Sequence, residues 1–201
     1  MRKLATLSIA VIAIAMVLLA VFLAGCQQKT TSPPPPNSPS SVTTQGGVKV
    51  YSNATYGFSF TICNSKDFEL QEKYRGTTVA LAGPLLADFK HQIAVSVVTN
   101  KVPKNTKLED YITAARKEAE RTLKDFAITD ERPTTISGIQ AKLTSYTYTT
   151  TINEEDIIFK NTHVTFIQDN TLYAVGYESS EEFYDQYVEC FNIVLSTFKF
   201  R

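Results

Sequence analysis

Between Ala141 and Glu178 the chain alternates apolar and polar residues through three long segments, Ala141–Thr151, Ile157–Ile167 and Thr171–Glu178. Asn153–Asp156 and Asp169-Asn170 separate them, and both are turn-forming clusters. A period of two with short polar breaks predicts an antiparallel meander, because only antiparallel neighbours can be joined by so few residues. Tyr146 and Tyr148 share one face of the first strand; Tyr173, Val175 and Tyr177 share one face of the third. The rest of the domain has to cover this sheet.

Before the meander, Val48 and Val50, Tyr56–Ile62, Phe68–Gln71, Thr77–Leu81 and Ile93–Val98 read as further strands, the last of them central. The period changes after Thr106-x-x-Glu109, a capping-box pattern. Leu108, Tyr111, Ile112, Ala115, Ala119, Leu123 and Phe126 then recur at helical spacing, opposite a mixed-charge face of Arg116, Lys117, Glu120, Arg121 and Lys124. Strands resume after Arg132-Pro133, with a turn at Ser137-Gly138. A second capping box, Ser179-x-x-Glu182, opens an apolar helical stripe through Phe183, Tyr187, Cys190, Phe191, Val194, Leu195 and Phe198. Sequential strands with segregated helices predict an α+β fold.

The first 47 residues read differently. Arg2 and Lys3 precede an almost wholly apolar run from Leu4 to Ala24, which ends in Leu23-Ala24-Gly25-Cys26. Small residues before a cysteine are what a signal peptidase and a lipidating enzyme need, the thiol being the nucleophile that takes the lipid. The sequence therefore predicts a lipoprotein signal over 1–25 and a lipidated Cys26, with an uncleaved helical anchor as the alternative, the run being about as long as a membrane span of ~20 residues. Several acyl chains on one cysteine anchor stably, where a single chain is marginal. Residues 26–47, with Pro33–Pro36, Pro39 and many Ser and Thr, read as a semi-rigid tether. Residues 48–201 are then one globular domain.

Removing Arg2 and Lys3 leaves 18 bases against 20 acids, a net charge of −2. That balance gives no electrostatic ground for a nucleic-acid partner. The expected partner on this reading is the membrane, through the lipid on Cys26, and the expected location is the extracytoplasmic face of a bacterial membrane.

Several stretches, in this order, resemble one known family: Tyr51-Ser52-Asn53-x-x-Tyr56-Gly57-Phe58-Ser59-Phe60, then Ile136–Ala141, Leu172-Tyr173-Ala174-Val175 and Val194–Phe198. They resemble the PsbP family, the extrinsic proteins of photosystem II and their bacterial homologues, over nearly all of residues 48–201. The resemblance implies an α-β-α sandwich, a central antiparallel sheet covered by helices. It also implies a non-enzymatic protein that docks on a membrane complex, and it raises calcium as a cofactor. Cys63 and Phe68 stand near the places where the family has proline and tryptophan, and the chain has no Trp.

The residues themselves show no catalytic motif. There is no Gly-x-Ser-x-Gly, and Gly46-Gly47 is not a phosphate loop. His91 and His163 lack metal-ligand spacing, and Glu154-Glu155-Asp156 lacks the ligand pattern of a calcium loop. We therefore expect no enzyme, no metal site and no bound cofactor. Cys63 and Cys190 are open to two readings, an export-permitted disulfide or two buried thiols. Gly83–Ala87 is the one apolar segment that reads as a loop, either covering the core or offering Pro84, Leu85 and Leu86 as a docking surface. The leading functional expectation is a lipid-anchored subunit that docks on or stabilises a membrane protein complex. The alternative is a lipoprotein that binds a small ligand or metal and delivers it at the membrane surface, with a pocket near the Tyr146/Tyr148 and Tyr173/Tyr177 strands.

Overall fold

The computed structural model describes residues 40–85, 92–152 and 154–200. The lipobox Leu23, Ala24, Gly25 and Cys26, the signal, most of the tether, Leu86 and His91 lie outside the described residues.

Eleven strands are described: β1 Ser40–Gln45, β2 Val48–Asn53, β3 Phe58–Thr61, β4 Glu69–Glu72, β5 Val79–Leu85, β6 Gln92–Lys101, β7 Lys124–Ile136, β8 Ile139–Ile152, β9 Glu155–Gln168, β10 Thr171–Ser180 and β11 Lys199–Phe200. Two α-helices are described, α1 Leu108–Thr122 and α2 Glu181–Thr197. The strands form a four-stranded sheet in the order β1-β2-β3-β11 and a seven-stranded sheet in the order β4-β5-β6-β10-β9-β8-β7, with antiparallel pairing throughout.

The hairpins follow from their turn residues. Gly46-Gly47 (φ 58° and 83°), Ser137-Gly138 (50° and 77°) and Asp169-Asn170 (50° and 55°) each join paired strands through two residues of positive φ. That is the type I′ geometry, whose twist matches the strands it connects. The first of these hairpins moves the domain boundary. Ser40–Gln45, placed in the tether by its polar composition, is an edge strand paired with Val48–Asn53. All of β1 beyond Ser40 is exposed, so no apolar alternation is required of it.

Other elements also differ from expectation. Gly83 and Pro84 do not break β5, which runs to Leu85 and changes register between Ala82 and Leu85. Proline is tolerated there because the strand is ending at an irregularity in its ladder. α1 stops at Thr122, where Leu123 turns to extended backbone (φ −100°, ψ 129°), so Phe126 belongs to β7. Neither capping box forms. Thr106 donates its hydroxyl to the Pro103 carbonyl at 2.7 Å, and the N-caps Lys107 and Ser180 make no side-chain capping bond.

Register assigns the faces of the large sheet. Tyr146, Asn161 and Glu178 lie opposite one another across β8, β9 and β10, as do their neighbours Ser145, Thr162 and Tyr177 on the other side. On the Tyr177 face, α2 buries Tyr184, Cys190, Phe191 and Val194. Tyr177 lies 4.8 Å from the Tyr184 ring and donates its hydroxyl to the Tyr184 carbonyl at 2.9 Å. The four-stranded sheet closes the same face through rings: Phe58 against Tyr173 and Phe198, and Phe200 against Phe166. Cys63, just after β3, is bonded to Cys190 of α2, with Cα atoms 5.2 Å apart. The helix-covered sandwich is thus met only in part, since a second sheet shares one face with α2. The opposite face is covered by α1, which buries only Ile112.

Candidate functional site

α1 does not seal the face beneath it. A cavity of about 100 Å³ lies between the helix and the sheet. It exists because small residues face one another: Ala115 and Ala119 from α1, and Ser96, Ala174 and Gly176 from β6 and β10. Gly176 contributes space on a strand where no special backbone angle demands glycine. A Cβ placed there would meet the Cβ of His163 at 3.4 Å and the hydroxyl of Ser96 at 3.9 Å, ordinary contacts. Larger side chains complete the walls, among them Tyr111, Ile112, Phe126, Tyr146 and Leu172.

One end of α1 is held by charge. Arg116 donates to Glu131 of β7, and Lys142 of β8 reaches Glu131 at 3.2 Å and Glu109 at 3.3 Å. Burial would raise the Glu131 carboxyl, but the hydrogen bonds from Arg116 and Lys142 outweigh it and hold the group below the usual range. Partly exposed ion pairs of this kind contribute little, typically ~0–1 kcal/mol each. Most of the hold on α1 therefore comes from Ile112 and the half-buried residues around it.

A polar chain crosses the floor. Asn161, almost fully buried, donates from Nδ2 to Glu178 Oε2 at 3.1 Å, and its Oδ1 lies 3.1 Å from Nδ1 of His163. The amide orientation fixes the histidine tautomer. With Nδ2 spent on Glu178, Oδ1 is an acceptor and Nδ1 carries the proton. Nε2 is then the acceptor nitrogen of the ring. Desolvation lowers the His163 pKa to about 4, so the ring is neutral at pH 7. Glu178 moves the other way: burial pushes its carboxyl up to about 7, against the hydrogen bonds from Asn161 and Tyr148. A smaller cavity of about 40 Å³ adjoins Glu178 and shares Ser96, Asn161 and Gly176 with the first.

The expected pocket residues separate. Tyr146 lines the cavity, whereas Tyr173 and Tyr177 point to the opposite face, toward the four-stranded sheet and α2. Pro84 and Leu85 stand at the end of β5, where Leu85 is 49% exposed. Glu178 and Gly176 carry no motif, and only their register with Asn161 and His163 brings them to the site. Of the turn acids, Asp156 accepts from Lys124 at 2.5 Å and from Thr151 at 2.7 Å. Among the described residues no three His, Cys, Asp or Glu side chains come together as a group that could hold a metal. No helix among them is long and apolar enough to cross a membrane.

Residues 8–200 match the family described as PsbP-like protein. The fold is similar to the solution structure of cyanobacterial PsbP from Synechocystis sp. PCC 6803, with a TM-score of 0.54 at 14% identity, covering 89% of this chain and 99% of that one. It is also similar to the crystal structure of LpqN, a protein involved in cell envelope biogenesis of Mycobacterium tuberculosis. There the TM-score is 0.55 at 11% identity, covering 80% of this chain and 89% of that one. No curated protein matches the chain.

Proposed function

Because this chain belongs to the family of PsbP-like proteins, we propose that it is an envelope-associated lipoprotein that works by binding, docking on a membrane protein complex without catalysing a reaction. Lipid on Cys26 would confine it to the extracytoplasmic surface, and the Pro-rich tether would give it reach. The fold shared with an envelope-biogenesis protein is compatible with that location. The observation that carries the docking reading is the end of β5, where Leu85 stands half-exposed beside Pro84 at the margin of the large sheet. A large apolar side chain held at the surface by a strand is suited to partner contact. Crosslinking in native membranes with mass spectrometry tests the reading. A reproducible membrane-protein partner that is lost on Leu85→Asp supports it, and the absence of any such partner at native abundance contradicts it.

The cavity under α1 supports a second reading, a lipoprotein that binds a small ligand at the membrane surface. Of the tyrosines expected near such a pocket, Tyr146 is in its wall.

A further inference from the structure

A buried side-chain donor ordinarily finds an acceptor. In the lining of the cavity under α1 one does not: Nε of Arg116 is buried and has no hydrogen-bond partner among the described residues. Arg116 follows Ile112 by one helical turn, so its stem starts on the face of α1 that also carries Ala115 and Ala119 over the cavity. From there Nη2 reaches Glu131, and the side chain as a whole is 39% exposed. The fork thus runs from the surface to a buried inner donor. The ion pair alone does not explain this residue. Lysine would also pair with Glu131, and it carries a methylene where arginine carries Nε. Arginine instead keeps the N–H of a charged group out of water and unmatched, a cost that nothing among the described residues offsets.

We propose that this cavity binds a small, mainly apolar, uncharged molecule carrying one hydrogen-bond acceptor, a ketone, ester or amide carbonyl, with its ring or short chain under α1 and its oxygen on the Nε–H of Arg116. The size fits. A dry apolar cavity of about 150 Å³ takes benzene, and one of about 100 Å³ suits a single small ring. The helix over it buries only Ile112, so a small outward shift that admits the oxygen disturbs little packing. The surrounding charges select a neutral acceptor. Arg116 and Lys142 are balanced by Glu131 and Glu109, two bases against two acids in one cluster. A carboxylate or phosphate would add a further negative charge beside the ionised Glu131 and be repelled by it. The inference rests on the ligand-binding reading and is independent of docking through Leu85.

Cyclopentanone and methylenecyclopentane, rings of nearly equal size that differ in a C=O or a C=CH₂, separate the possibilities. The full chain in lipid nanodiscs, labelled with ¹⁵N on arginine, would be titrated with each at free concentrations set by dialysis, against nanodiscs without protein. Water holds the ketone more strongly than the alkene, so the comparison is made for each probe between the native chain and Arg116→Lys. That variant keeps the charge facing Glu131 and removes only the inner donor. The expected result is saturable binding of both probes to the native chain, with a shift of the Arg116 Nε–H signal on adding the ketone. Arg116→Lys should then weaken cyclopentanone by at least about tenfold, the worth of a hydrogen bond to a charged group, and leave methylenecyclopentane within twofold. Ala115→Leu should abolish both titrations by filling the cavity, and Ala119→Leu serves if that variant misfolds. Equal effects of Arg116→Lys on the two probes would overturn the donor assignment while leaving a ligand site in place. No saturable binding of either would overturn the site and the ligand-binding reading with it.

Discussion

On the face that carries Tyr173, Val175 and Tyr177, α2 brings four buried side chains, a disulfide and the rings of a second sheet. On the face that carries Ala174, Gly176 and Glu178, α1 brings one buried isoleucine and leaves a cavity. The two helices lie on opposite faces of one sheet, and the side chains they meet there differ in size and polarity. Large apolar groups on the first face interdigitate at core density. Small and polar groups on the second leave space and hydrogen-bonding capacity. One face holds the fold together; the other is loose enough to open.

If that contrast is real, damage to the two faces should differ in size. The largest effect is expected from the Cys63–Cys190 bridge, which closes a loop spanning 127 residues. By the chain-entropy estimate its loss costs about 4–5 kcal/mol, read as a drop in denaturation midpoint in the reduced protein or in Cys63→Ser/Cys190→Ser. Phe58→Ala, at a fully buried ring stacked on Phe198, should cost about 3–5 kcal/mol in the same measurement. Ile112→Ala, beside the existing cavity, should cost about 2 kcal/mol, the low end for such truncations. Equal losses at Phe58 and Ile112 would erase the contrast.

A finer test comes from pH. Glu178 has a folded pKa of about 7, above its value of 4.5 unfolded, so the folded state holds the extra proton between these values. Its contribution to stability is full below about 4.5 and falls as pH rises toward 7. His163 is at about 4 folded against 6.5 unfolded, so here the unfolded state binds the extra proton. Its contribution is full above about 6.5 and falls as pH drops toward 4. The two slopes oppose each other over nearly the same window, and the native protein should show a flat stability profile from pH 4.5 to 6.5. Glu178→Gln should expose the histidine slope, losing stability on acidification. His163→Gln should expose the glutamate slope, gaining stability on acidification by on the order of 2 kcal/mol. Denaturation midpoints at several pH values decide it, and parallel profiles for both variants would refute the assignment.

How much of this was legible in the sequence depends on whether the cause is local. The meander was legible because alternation and two-residue turns such as Asp169-Asn170 act over a few positions. The β1 strand was not, since Ser40–Gln45 is polar on both faces and is placed by pairing with β2. Phe126 fits a helical stripe and a strand face equally well, and the turn to extended backbone at Leu123 decides between them. That Tyr146 and Tyr177 fall on opposite faces required the register of three strands. The cavity was hidden for the same reason: Ala115 and Gly176 are unremarkable residues until α1 is laid over β10.

Native-state hydrogen exchange tests the division between the two faces most directly. The amides of α1 should exchange through local opening, at free energies well below the global value. Those of α2 should exchange only near the global limit. Equal protection of the two helices would contradict the account.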